Sequence, residues 1–151
     1  MALKEPLLGE SDDEAKLSSW RKVIFFVTFV NYAMSHISRK CYTNVKTDLV
    51  ASGVDKIILS QMDMAFMFTY AIGSFISGRL GDTFPQNVII GVGLLGSTLC
   101  LGMIQYFEWI GIVHSNYAFA FFLFVGAQFI HGLFQSTGGP VNTSIMGNWC
   151  A

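Results

Sequence analysis

The sequence predicts an all-α membrane protein with four transmembrane helices, and composition carries that prediction. Hydrophobic residues make up 52% of the 151 residues and charged residues only 13%, whereas soluble proteins carry about 25% charged residues. The segment from residue 109 to residue 151 contains no Asp, Glu, Lys or Arg. The net charge of −1 and the lack of a basic stripe argue against nucleic acid as a partner. The apolar composition instead predicts that the chain lies in a lipid bilayer.

The first nineteen residues predict a disordered cytoplasmic tail. They are acidic and show no apolar periodicity. The first helix is expected over about residues 20–46. Its uncharged run, residues 23–38, is shorter than the roughly 20 apolar residues that a span needs, so Arg39 and Lys40 follow inside or close to the hydrocarbon.

The remaining helices are expected over about residues 55–80, 86–107 and 117–138 or beyond, so that residues 20–151 form a partial transmembrane bundle. Pro85 suits the start of the third helix because its missing N–H is not needed there. Five Lys and Arg residues fall on the N-terminal side of the predicted spans and two on the other. This asymmetry predicts a cytoplasmic N-terminus.

Three of the helices carry polar residues at spacings of three and four, which place them on one face. Such faces avoid lipid, so we expect them to converge on a water-filled cavity of the kind found in transporters. The residues are Tyr32, His36 and Arg39 in the first helix, Asp63 and Tyr70 in the second, and Gln128, His131 and Gln135 in the fourth.

Arg39 is the strongest candidate for binding a ligand. A guanidinium suits phosphate because its planar fork donates two parallel hydrogen bonds. Lys40 lies next to it but points about 100° away on a helix. The alternative is that both cations snorkel to the membrane interface.

The other polar residues have simpler interpretations. Asp63 is expected to form a structural ion pair with a cation, or to take up a proton during transport. His36 and His131 lack thiol or carboxylate partners at ligand spacing, so hydrogen bonding is favoured over metal or haem binding. The sequence therefore predicts no cofactor, no metal and no catalytic residue.

Four segments together resemble a known family. Residues 78–82 (Gly-Arg-Leu-Gly-Asp) resemble the loop signature of the major facilitator superfamily, with Gly78 and Asp82 as its gating-loop residues. Residues 36–40 (His-Ile-Ser-Arg-Lys), 63–73 and 132–140 resemble the organophosphate:phosphate antiporters of that superfamily. They are most similar to the eukaryotic sugar-phosphate exchanger branch, which is glycerol-3-phosphate/glucose-6-phosphate transporter-like.

The resemblance implies a twelve-helix fold of which this chain would be an N-terminal fragment, holding the first four helices and partnered by the missing C-terminal helices. It implies exchange of phosphorylated sugars or glycerol-3-phosphate for inorganic phosphate, with the fragment inactive alone. It also implies that Arg39 binds the substrate phosphate, that Lys40 is its basic neighbour, and that Tyr32, His36 and Tyr70 line the same cavity.

Two alternatives stay open from the sequence. The chain could instead be a non-transporting tetraspan protein with a structural or regulatory role, in which Arg39 snorkels. Among membranes, the resemblance favours the endoplasmic reticulum, while the plasma membrane and the plastid membrane stay open.

Overall fold

The computed structural model of the chain describes residues 8–51, 53–112 and 116–150, and this part of the chain is helical with short connecting turns. Within these ranges the structure has five helices: α1 Leu8–Ala51, α2 Lys56–Thr83, α3 Gln86–Trp109, α4 Tyr117–Gln135 and α5 Gly138–Cys150. The described residues contain no strand. The prediction of an all-α chain is confirmed.

Helix α1 is longer than the sequence pattern predicted. It runs for 44 residues and begins at Leu8, so residues 8–19 are helical where a disordered tail was expected. Six of these twelve residues (two Leu, two Glu, one Ala and one Lys) are good helix formers. The remaining residues of the predicted tail, 1–7, lie outside the described part of the chain.

The starts of the later helices follow from local capping chemistry. Asp55 precedes α2, and its carboxylate accepts a hydrogen bond from the Ile57 N–H at 3.1 Å. Asn116 caps α4 in the same way, accepting from the Phe119 N–H at 3.1 Å. Pro85 stands directly before α3, and its carbonyl accepts from the Val88 N–H at 3.0 Å. These caps satisfy backbone donors that a helix start leaves unpaired.

A break at residues 136–137 separates α4 from α5 within the predicted fourth helix. Pro140 has no N–H, so it cannot donate to the carbonyl of Ser136 four residues earlier. That carbonyl instead accepts a hydrogen bond from the hydroxyl of Ser77 on α2 at 3.0 Å. The acceptor that proline leaves free is therefore satisfied by a neighbouring helix, as low-dielectric surroundings require.

Helix α4 packs closely against both α2 and α3 because glycines remove side chains at the contacts. A Cβ built on Gly132 would lie 2.6 Å from the carbonyl oxygen of Phe66. On α3, a Cβ at Gly96 would clash with the Phe134 ring. Small residues allow this backbone approach in lipid, where dispersion and hydrogen bonds hold helices together.

The apolar core lies at one end of the bundle, where α1 and α3 end and α2 and α4 begin. Its largest fully buried side chains include Phe124, Leu49, Ile58 and Met62. Large apolar side chains elsewhere point outward, including Phe75, which is 83% exposed. Extensive outward apolar surface of this kind is typical of a protein that meets lipid.

Two stretches of the described residues are long and apolar enough to cross a membrane: Gln86–Trp109, and the 33 residues Tyr117–Trp149 that include α4 and α5. Helices α1 and α2 do not meet that test. They carry the charged residues of the chain's interior, including Arg39, Lys46 and Asp63.

We expect Gly132→Ala to lower the free energy of unfolding by about 1–3 kcal/mol, because the added methyl overpacks the contact between α4 and α2. Thermal unfolding of the full-length gene product in detergent measures the change. Gly126→Ala on the same helix is the matched control. A Cβ at Gly126 meets nothing within 4 Å, so the control should be neutral or stabilising through helix propensity. Equal effects of the two variants would contradict the close-packing account.

Candidate functional site

Two cavities meet at Arg39, which is half-buried on α1. The smaller has a volume of about 20 Å³ and holds most of the residues that the sequence predicted to bind substrate. Tyr32, His36 and Gln135 line it together with Arg39 and Tyr70. Residues from α1, α2 and α4 thus converge at one place, with Gly138 and Gly139 of α5 completing the wall. We call this cavity the tyrosine pocket.

The Arg39 guanidinium is held by two aromatic rings of α2. Its Cζ atom lies 5.0 Å from the centre of the Phe66 ring and 5.4 Å from that of Tyr70. Its Nη2 donates to the sulfur of Met67 at 2.9 Å. A thioether is a weak acceptor and a guanidinium has five donors. These contacts therefore position the cation but use only one of its donors, in a weak hydrogen bond.

The charge of Arg39 has no carboxylate partner within the residues that the structure describes. Rings attract a cation through their quadrupole, yet they do not neutralise it. The site therefore offers a positioned, uncompensated positive charge.

The larger cavity, about 280 Å³, lies on the other side of Arg39. It brings together Arg39, Lys46, Asp63 and His131, and is lined further by Tyr42, Thr43, Phe66 and Met67. Lys46 pairs with Asp63 across it, with Lys46 Nζ 2.6 Å from Asp63 Oδ1. We call this cavity the lysine pocket.

His131 is buried and fully occupied by protein partners. Its ring nitrogens lie 2.9 Å from Gln128 Oε1 and 2.9 Å from Ser97 Oγ, so it links α4 to α3. The ring also lies 5.1 Å from that of Phe66, which contacts Arg39. Gln128 is completely buried and lines neither pocket. His131 and its partner Gln128 therefore support the position of the Phe66 ring on the side away from Arg39.

Gln135 joins α4 to α1 at the tyrosine pocket. Its amide nitrogen donates to the carbonyl of Ser35 at 2.9 Å. Its Oε1 atom is buried and has no hydrogen-bond partner among the described residues. The oxygen is an acceptor available to a donor in the pocket.

The two aromatic residues of α1 that line the tyrosine pocket with Arg39 lie one helical turn apart. The rings of Tyr32 and His36 meet edge to face with centroids 4.4 Å apart. Both side chains are exposed, so one side of the tyrosine pocket opens outward.

Lys40 and the loop residues lie away from both pockets. Lys40 is exposed and lines neither cavity. Gly78 and Asp82 lie near the end of α2, where Asp82 Oδ1 accepts from the hydroxyl of Ser144 on α5 at 3.4 Å. Ser144 also accepts from Gln86 at 2.8 Å. The last turn of α2 and the first residue of α3 are thereby joined to α5.

Lys46, Phe66 and Met67 were not predicted to be site residues. Lys46 follows Arg39 by seven residues, two helical turns, and the spacing rule therefore places it on the polar face of the first helix, although no binding role was predicted for it. Phe66 and Met67 carry no such signal, because an aromatic or methionine in an apolar helix is ordinarily a packing residue.

Comparison with known proteins gives a consistent match. The sequence profile of the Major Facilitator Superfamily matches residues 24–151. The chain is similar to putative glycerol-3-phosphate transporter 2 of Arabidopsis thaliana, with 32% identity over 141 residues that cover 86% of this chain and 27% of the relative. It is also similar to sugar phosphate exchanger 3 of Bos taurus, with 28% identity over 163 residues, 89% of this chain and 32% of the relative.

Sugar phosphate exchanger 3 of Homo sapiens is 27% identical over 162 residues, with the same coverage. The chain thus spans about a third or less of the length of the curated relatives it matches. No solved structure gave a significant match.

The buried network around His131 generates a stability prediction. His131→Ala should lower the free energy of unfolding by about 1–3 kcal/mol, because Gln128 and Ser97 would lose buried hydrogen bonds. Thermal unfolding of the full-length gene product in detergent measures it. His36→Ala, an exposed histidine in α1, is the control and should change the value by less than about 0.5 kcal/mol. A loss at His36 as large as that at His131 would sink the structural role.

Proposed function

The chain belongs to the major facilitator superfamily, and from that premise we propose that it exchanges a phosphorylated sugar or glycerol-3-phosphate for inorganic phosphate as part of a twelve-helix transporter. Its helices correspond in this proposal to the first four spans of that fold, with α4 and α5 together forming the fourth. The relatives named above as glycerol-3-phosphate transporters and sugar phosphate exchangers support the substrate class.

Outward-facing apolar residues support spans at α1 and α2 as well as at α3 and α4. Phe25 on α1 is 57% exposed and Phe68 on α2 is 63% exposed. Side chains of this size meet lipid at no cost but are costly in water. Arg39, Asp63 and Tyr70, polar residues of the same two helices, line the pockets instead. Each helix is therefore amphipathic in the way expected of a cavity-lining span.

The observation that carries the proposal is the Arg39 guanidinium, half-buried against two rings and without a carboxylate partner among the described residues. A cation in low-dielectric surroundings is costly unless an anion compensates it. Phosphate is common to both exchanged substrates. Its oxygens accept two parallel bonds from one guanidinium, which neither a neutral sugar nor a cation could do.

The tyrosine pocket supplies donors on one side of a phosphate bound at Arg39, and the larger lysine pocket on the other side has room for that phosphate. Tyr32 and Tyr70 carry hydroxyl donors, and His36 carries a ring nitrogen that donates. The unpartnered Gln135 oxygen accepts from a hydroxyl of the organic part of the substrate. Lys40, exposed and outside both pockets, attracts the anion at longer range.

Exchange rather than net uptake follows from the charge of the site. A loaded site is neutralised and crosses between its two orientations readily, whereas an empty one must move an uncompensated cation through low-dielectric surroundings. Each outward passage of one phosphate compound is thereby tied to the inward passage of another. Spans held together by the close contacts at Gly132 move as one body during this change.

The proposal assigns the loop residues Gly78 and Asp82 to gating between the two orientations, supported by the contact of Asp82 with Ser144. It assigns no chemical conversion of substrate to the chain. The membrane that we propose is that of the endoplasmic reticulum.

We expect Arg39→Lys to reduce exchange to less than one tenth of the wild-type rate. An ammonium cannot reproduce the two parallel bonds, and a charge-assisted hydrogen bond contributes roughly 1.5–3 kcal/mol. The measurement is counterflow in proteoliposomes of the full-length gene product, loaded with inorganic phosphate and supplied with labelled glycerol-3-phosphate or glucose 6-phosphate.

Arg21→Lys is the matched control, since Arg21 is exposed on the same helix far from both pockets. It should exchange at the wild-type rate. Wild-type-level exchange by Arg39→Lys would remove Arg39 from the binding site. Absence of exchange in the wild type for both organic phosphates would reject the function itself.

A further inference from the structure

The Lys46–Asp63 ion pair occupies an unusual position for an ion pair that only stabilises the fold. It joins α1 to α2, yet the two helices make little direct backbone contact with each other. The pair instead crosses the lysine pocket. The side chains are 27% and 45% exposed, so both charges reach the pocket's solvent. Opening the pair would therefore remove a polar contact across the pocket rather than a contact of the apolar core.

The lysine pocket contains more positive than negative charge. Arg39 and Lys46 contribute two cations, and Asp63 contributes one carboxylate. The seven-residue spacing of the two cations places them on the same face of α1, about 10.5 Å apart along its axis. With about 280 Å³ between these walls, the pocket has room for a phosphate-sized anion together with water.

Further contacts hold Lys46 ready at the pocket. Its ammonium nitrogen lies 5.0 Å from the centre of the Tyr42 ring, and the Tyr42 hydroxyl lies 3.9 Å from the sulfur of Met62 in the core. The contact with Met62 fixes the position of the Tyr42 ring, and the ring stabilises the Lys46 ammonium. Lys46 does not depend on Asp63 alone for its location.

We propose that Lys46 is a second phosphate-binding cation and that Asp63 is an internal competitor, which holds Lys46 while the lysine pocket is empty. This inference rests on the proposed phosphate exchange. The substrate phosphate displaces the Asp63 carboxylate and accepts hydrogen bonds from the Lys46 ammonium. A half-exposed ion pair contributes little free energy, so a doubly charged phosphate competes with it effectively.

The competitor tunes affinity rather than abolishing it. With Asp63 in place, the pocket binds an anion strongly enough to load but not so strongly that release becomes slow. A purely structural ion pair makes the opposite prediction, since removal of either partner would then weaken the fold and leave the affinity for phosphate unchanged or reduced.

The test is phosphate–phosphate exchange by the full-length gene product in proteoliposomes, with labelled inorganic phosphate as the probe. We expect Asp63→Asn to lower the KM for phosphate by two- to fivefold and Lys46→Gln to raise it about tenfold. The double variant should have the KM of Lys46→Gln, because without Lys46 there is nothing for Asp63 to compete for. Glu108→Gln removes a partly exposed carboxylate that lies at the same end of the bundle but lines neither pocket, and it should leave KM unchanged.

An unchanged or raised KM in Asp63→Asn, alongside normal wild-type exchange, overturns the inference and leaves the proposed function standing. A wild type that exchanges no phosphate overturns both. If Asp63→Asn does not accumulate, Lys46→Arg and Lys46→Gln carry the comparison. Arg keeps the charge and should retain the wild-type KM, whereas equal KM values in all three proteins would remove Lys46 from the site.

Discussion

Gly132 brings α4 so close to α2 that a side chain there would meet the carbonyl of Phe66. Most of the arrangement around Arg39 depends on that approach. It seats α4 against the back of the helix that carries Phe66 and Tyr70, so that His131 reaches the Phe66 ring from behind. The rings then face α1, where Arg39 lies over them. A larger residue at position 132 would separate α4 from α2 and loosen this stack of ring on ring and cation on ring.

Arg39 gains its character from what surrounds it rather than from burial alone. The guanidinium lies against two neighbouring aromatic rings of α2, and its Nη2 donates to a methionine sulfur. Lys46, by contrast, is neutralised by a carboxylate at hydrogen-bond distance. The same helix thus presents one cation with its charge open and another with its charge covered, two turns apart, at the walls of a shared cavity.

Helical periodicity was enough to predict the polar faces, because residues three and four apart necessarily share a side of a helix. It therefore brought Tyr32, His36 and Arg39 together, and Tyr70 and Gln135 with them. It could not show which neighbours Arg39 would choose. Phe66 and Met67 resemble ordinary apolar residues in sequence, and only the azimuth of α2 against α1 turns them toward the cation. The helical start at Leu8 was also missed, because composition separates disorder from an exposed helix poorly when the residues favour both.

The interruption between α4 and α5 has a mechanical consequence. Helix α5 is a short rod with Gly138 and Gly139 at one end, in the wall of the tyrosine pocket, and Ser144 partway along it, beside Asp82. At the break, the carbonyl of Ser136 accepts a hydrogen bond from Ser77, which holds this point of the chain against α2. A tilt of α5 about that point would shift the pocket wall and the contact with the end of α2 together. The short helix after the break thereby connects the tyrosine pocket to Asp82.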